Sequence, residues 1–123
     1  MADEQQVLAI QKGVAAWNKW KAENPRKRPD LRGAELTGLV LEGINLNGAR
    51  LQEADLEFSN LKKANLAGAD LTKANLSNTD LTDAVLLNAN LQGARLTGAN
   101  VTRADLRGVN LKGADIRNIK RGS

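Results

Sequence analysis

The chain has 123 residues, enough for one domain, and a formal net charge of +4. It has no Cys, no His and no Tyr, and its aromatics are Trp17, Trp20 and Phe58 alone. That composition excludes disulfides, zinc sites and Ser-His or Cys-His catalysis, and it requires an aliphatic interior. No apolar run approaches the ~20 residues of a membrane span. Met1-Ala2-Asp3-Glu4 shows neither the basic nor the apolar part of a signal peptide. The expected location is cytoplasmic, away from membranes.

The net charge is unevenly placed. Residues 1–28 carry six bases and three acids, residues 29–118 carry ten bases and eleven acids, and Lys120 and Arg121 follow. The basic surplus belongs to the ends.

Residues 1–24 are expected to form an N-terminal capping helix, helical from 4 to about 23. Asp3 is placed to cap it, and Gln6 completes a capping-box pattern. Val7, Ile10, Val14 and Trp17 fall on one stripe, with Trp20 near its end. Pro25 ends it, and residues 25–28 form a basic linker.

From Pro29 to Asn118 one five-residue unit repeats eighteen times without a break. Its third position is Leu sixteen times, then Val101 and Ile116 once each. Its first position is usually Ala and its second Asp or Asn, as in Ala69-Asp70-Leu71-Thr72-Lys73. A fixed short period means a stacked array in which each unit buries its apolar side against its neighbours. In extended backbone, residues two apart face the same way, so Ala and Leu point in together. Gly recurs at the fifth position, where a turn needs positive φ.

Outward charges indicate how many units make a turn, because stacked opposite charges attract. At a spacing of twenty residues there are seven opposite pairs and one like pair, Glu35–Asp55. Spacings of fifteen and twenty-five show no such excess. Four units per turn are therefore expected.

Tandem A-(D/N)-L-x-x units of this kind resemble the pentapeptide repeat proteins, abundant in cyanobacteria. The resemblance covers residues 29–118, and the lead-in from Trp17 to Leu31 is similar as well. It implies an all-β solenoid: a right-handed, four-sided parallel β-helix, here with an N-terminal capping α-helix. The family's alternative centre residue, Phe, is missing from the third position.

At the far end the pattern stops after Asn118, since Arg121 takes the next Leu slot. Residues 119–123 read as a tail, with an ending of the kind expression vectors add. Large residues at two inward positions, Leu39 and Ile44, suit a lid over the first coil. The last coil, with Val101, Leu106, Leu111, Ile116 and Ile119, shows no lid. It is a candidate self-association end, for a weak tail-to-tail homodimer.

The chemistry available is limited. No cofactor-binding motif is present, and the glycines five apart are those of the repeat itself. Glu35 and Asp55 stack at about the 5 Å carboxyl separation of a retaining glycosidase. A flat wall, however, offers no cleft to desolvate them. A carboxylate-based hydrolase is thus the third reading. The resemblance also implies a DNA mimic that binds DNA gyrase. Duplex DNA carries one negative charge per ~1.7 Å, and balanced charge on the repeats argues against mimicry. The basic residues Lys19, Lys21, Arg26, Lys27 and Arg28 lack exposed aromatic platforms for nucleic acid and read as a solvated linker.

The preferred reading is a non-enzymatic interaction or scaffold module for an unidentified protein partner, with no small-molecule substrate. Val85, Leu87 and the corner residue Phe58 form the candidate interaction patch.

Overall fold

The computed structural model describes residues 1–122, so Ser123, at the end of the expected tail, lies outside the described residues. The chain opens with two helices, α1 over Glu4–Gln11 and α2 over Val14–Glu23. One helix was expected there. Gly13, at φ 116, breaks it, a conformation that favours glycine. The apolar stripe continues across the break. Ile10 and Trp17 are buried, while Val7 and Val14 pack at the margin of the core.

Asp3 caps α1 as expected, accepting from the Gln5 and Gln6 amides. The capping box does not close. The Asp3 amide donates instead to Asp30 O (2.9 Å), and Gln6 Oε1 accepts from the Asp30 amide (2.5 Å). Both groups thus tie the helix to the repeats.

From Asp30 onward the chain winds into a square column. Fifteen parallel bridges each join residues twenty apart, from Asp30 with Arg50 to Asn100 with Lys120. Four units therefore make one coil. The coil continues past Asn118: Val101 N donates to Lys120 O, and Lys120 N to Ala99 O. Each unit contributes a single-residue bridge rather than an extended strand. A side of five residues is too short for more, because the next turn consumes its last two positions.

Most corners are closed by a hydrogen bond from the first amide of one unit to the third carbonyl of the unit before, as in Ala74 N to Leu71 O. The fifth position takes φ near +60 to +75 in glycines and non-glycines alike. Positive φ at that position alone makes these type II turns. The second position has its own task. Asp or Asn Oδ1 accepts from the amide two residues on, as at Asp70–Thr72 and Asn75–Ser77, both 3.0 Å. Such Asx turns explain why the repeat prefers Asp or Asn there.

Inside, Leu and Ala stack in files. Leu31 through Leu91 at the third position are wholly or almost wholly buried. Ser59 and Thr79 replace Ala inside, and their hydroxyls donate to Leu56 O and Leu76 O. A buried hydroxyl so paired leaves no unmet donor.

The charge ladders indicated the right period through mostly different contacts. Among the described residues, only Asp83–Arg103 of the seven opposite pairs closes as an ion pair, at 2.8 Å. Asp30, Asp105 and Asp115 instead take the Arg two residues on. Lys62 reaches Asp80 at 3.6 Å. Second and fourth positions lie on the same wall, so the local Arg arrives with a shorter span of side chain.

Candidate functional site

The column presents four walls and two ends. Units beginning at residues 29, 34, 39 and 44 start the first, second, third and fourth walls, and each wall recurs every twenty residues.

At the upper end the helices serve the first and fourth walls. Trp17 Nε1 donates to Asn45 O (2.6 Å), and Asn18 Oδ1 accepts from Asn45 N (2.8 Å). Asn18 Nδ2 donates to Gly43 O and Arg28 Nε to Gly48 O. Trp17 is wholly buried, with the Trp20 ring 5.1 Å away centre to centre. The second wall receives no such hydrogen bond and the third only that of Asn18 to Gly43 O at its far corner, although the inward Leu36 and Leu41 are buried. Among the described residues, the amides and carbonyls of Glu35 and Val40 have no hydrogen-bond partner.

The sequence-predicted patch separates into two places. Val85, 37% exposed, and Leu87, half-buried, share the fourth wall, with Ala67 one coil above Leu87. That wall carries no charged side chain through three coils, residues 44–48, 64–68 and 84–88. Because Val85 replaces Asp or Asn, the Leu87 amide lacks an Asx acceptor and has no partner among the described residues. Phe58 lies elsewhere, at the corner between the second and third walls, one coil below Gly38. It is 62% exposed at φ 64.

One coil above Phe58 and just past its corner stands Val40, 72% exposed and stacked on Asn60, which the sequence reading did not single out. The signal was available: Val40, like Val85, occupies a slot that otherwise favours Asp or Asn.

At the lower end Val101 is buried and Ile119 partly so, while Leu106, Leu111 and Ile116 are 38–40% exposed. With Leu91, Leu96 and Ala104 they line a hollow of about 420 Å³, with Arg103 and Arg121 also in its lining. The amides of Leu106, Leu111 and Ile116 have no partner among the described residues. Nearby, the guanidinium groups of Arg107 and Arg117 hydrogen-bond Asp105 and Asp115 and hold both carboxyls at about 2.

Glu35 and Asp55 stack as expected, on the open second wall. Asp55 Oδ1 accepts from the Glu57 amide (3.1 Å). Among the described residues no group of acidic side chains is arranged to hold a metal ion.

A column of stacked five-residue units, with flat walls and an aliphatic interior, defines a repeat solenoid. The chain belongs to the pentapeptide repeat family: the family described as pentapeptide repeats (8 copies) matches it over three overlapping stretches, residues 30–57, 49–86 and 84–120. Comparison with curated proteins finds no match.

Among solved structures, a pentapeptide repeat protein from the cyanobacterium Cyanothece 51142 is 37% identical, with a TM-score of 0.72. That match covers 80% of this chain and 64% of the other. A pentapeptide repeat protein of the Arabidopsis thaliana thylakoid lumen is 30% identical, with a TM-score of 0.60 over 72% and 66% of the two chains. This chain therefore spans just under two thirds of either neighbour. The plasmid-mediated fluoroquinolone resistance protein QnrB1 shares the fold at 24% identity and a TM-score of 0.50, over 76% of this chain and 51% of its own.

Proposed function

We propose that this chain is a non-enzymatic, protein-binding module of the cytosol. It is a right-handed, four-sided parallel β-helix with a helical cap, and it works without cofactor or small-molecule substrate. The fourth wall is its docking face. The observation that carries this reading is the absence of charge on that wall through three coils, with Val85 and Leu87 at its lower centre.

A flat, uncharged surface is inexpensive to dehydrate, and interface centres are depleted in charge. The Leu87 amide supplies one directional donor within it. The occupant is a folded protein with a flat, uncharged surface and one carbonyl to meet that amide. Over the repeats ten bases balance eleven acids, which works against the gyrase-directed DNA mimic. The likeness to QnrB1 is one of fold, and its resistance activity is not carried over.

The test is affinity capture from native cytosol with three forms of the chain. V85N/L87T returns the wall to the repeat pattern and keeps the fold. Thr72→Lys changes the first wall and serves as control. A protein retained by the wild type and by Thr72→Lys, and lost with V85N/L87T, supports the reading. Identical capture by all three forms overturns the docking face. Inhibition of purified gyrase would favour the mimic.

A further inference from the structure

The uncovered upper edge of the second and third walls forms a second surface, independent of the fourth wall. The cap satisfies the bridging groups of Asp30 and Asn45 and leaves those of Glu35 and Val40 open. On this edge Glu35 and Val40 present an amide and a carbonyl each, and Thr37 and Glu42 a carbonyl each, without partners among the described residues. Natural sheets usually cover, bulge or charge such an edge with Lys or Pro. Here the edge carries Glu35, Glu42 and an exposed Val40.

Two local features are unfavourable in the free chain. Glu35 stacks directly on Asp55, a like-charge pair in a ladder. Glu53 and Glu57 flank Asp55, and none of these four acids joins an ion pair among the described residues. Phe58 exposes an aromatic ring from a left-handed corner. The other non-glycine residues with positive φ are Glu, Lys, Asn, Asp or Arg. A left-handed residue that is neither Gly nor Asn carries a conformational cost. Strain combined with an exposed ring points to a role outside folding.

We propose that this edge receives an extended, basic segment of a protein partner, added as one more rung above the second wall. The rung takes its backbone hydrogen bonds from Glu35. Its outward side chains stack on Glu35 as Glu35 stacks on Asp55, so a Lys or Arg there relieves the like-charge pair. Its alternate side chains are apolar, and where the rung rounds the corner they meet Val40, with the exposed Phe58 extending that apolar surface one coil lower. Strand addition of this kind derives affinity from the backbone and selectivity from alternate side chains. Charge on the column supports the choice of partner: residues 29–58 carry two bases and six acids, while the six bases of residues 1–28 belong to the cap and linker.

The probe is a seven-residue peptide of alternating Val and Lys, added to the isotope-labelled full chain. Amide shifts are expected at Glu35, Thr37 and Val40, with binding that weakens as salt rises. Replacing every Lys by Glu abolishes binding. N-methylation of the central peptide amides does the same.

Phe58→Gly keeps the fold, because Gly38 and Gly98 occupy the same corner one coil above and two coils below. It weakens binding about tenfold or more while thermal stability holds or rises. Val40→Asn, which restores an Asx turn, also weakens it. Peptide shifts spread over other walls overturn the proposal. So does binding unchanged in Phe58→Gly, or binding indifferent to the sign of the peptide's charge. None of these outcomes depends on Val85 or Leu87, so this edge and the fourth wall stand or fall separately.

Discussion

The two ends of the column differ in chemistry as well as in cover. Each unit exposes carbonyls at its second and fourth positions and an amide at its second on the upper edge. On the lower edge it exposes amides at its third and fifth positions and a carbonyl at its first. This follows from the ladder, as in Leu51 N to Asp70 O, Glu53 N to Thr72 O and Asp70 N to Ala49 O. The upper end is thus rich in acceptors and the lower end in donors. The cap and linker fit that demand: of six hydrogen bonds they make to the column, they donate four. Side-chain charge runs the same way, acidic over residues 29–58 and basic over residues 59–118. A lid for one end would therefore not suit the other.

Removal of the lid's anchor should have the largest effect. Trp17→Ala takes out a wholly buried ring and the donor to Asn45 O. It should cost about 3–5 kcal/mol in urea unfolding. Amide exchange should rise first at Asn45 and Leu46. A uniform rise along the column would show that the cap is not a local device.

The interior contrasts with the lower end next. Leu71→Ala, in the middle of the stack, should cost about 2–5 kcal/mol. Leu111→Ala, at 40% exposure on the floor, should cost about 1 kcal/mol. Thr72→Ala loses one wall hydrogen bond to Asp70 and should cost still less, about 0.5 kcal/mol. Equal effects at residues 71 and 111 would mean that the last coil is as well buried as the middle.

The middle of the column was legible in the residues and the ends were less so, for physical reasons. Spacing of five with Ala and Leu two apart determines which side chains face in. Leu71 and Ala74 need only that pattern to be placed. The break at Gly13 was hidden because the apolar stripe from Val7 to Trp17 runs through it. Gln6 fits a local capping box as well as it fits a bond to Asp30, and only the column's position chooses between them. The Asx turn behind the preference for Asp and Asn needs the coil geometry, so the residues alone do not show that a Val in that slot, as at Val40, leaves the amide two residues on without an acceptor. Phe58 reads as a corner residue from its fifth position, and four units per turn place that corner beside the second wall, away from Val85 and Leu87 on the fourth.

A smaller effect separates the ends by pH. Asp105 and Asp115 are held at about 2 by Arg107 and Arg117, against an ordinary 3.8. Their folded values are depressed, so their stabilisation is complete above the ordinary value and is lost as pH falls toward 2. Carboxyl titration by NMR should place both midpoints near 2. Arg107→Ala should return the Asp105 midpoint upward and leave Asp115 in place. A midpoint for Asp105 unmoved by that change would assign its shift to another group.

The smallest expected effect is self-association of the lower end. The floor of Leu106, Leu111 and Ile116 favours burial, and two copies meeting tail to tail would cover it. Three terms oppose that pairing. The area is one cross-section of the column, well below a standard interface. Lower edges are rich in donors, so two of them leave amides facing amides. Lys112, Arg117, Lys120 and Arg121 repel across the contact. Salt weakens the last term and spares the apolar one, so pairing should strengthen as ionic strength rises. Sedimentation across a concentration and salt series should show monomer at low salt and a weak dimer at high salt and high concentration. Leu111→Glu should return the dimer to monomer. Monomer throughout the series would end the pairing and leave the floor to an acidic partner whose carbonyls match its donors.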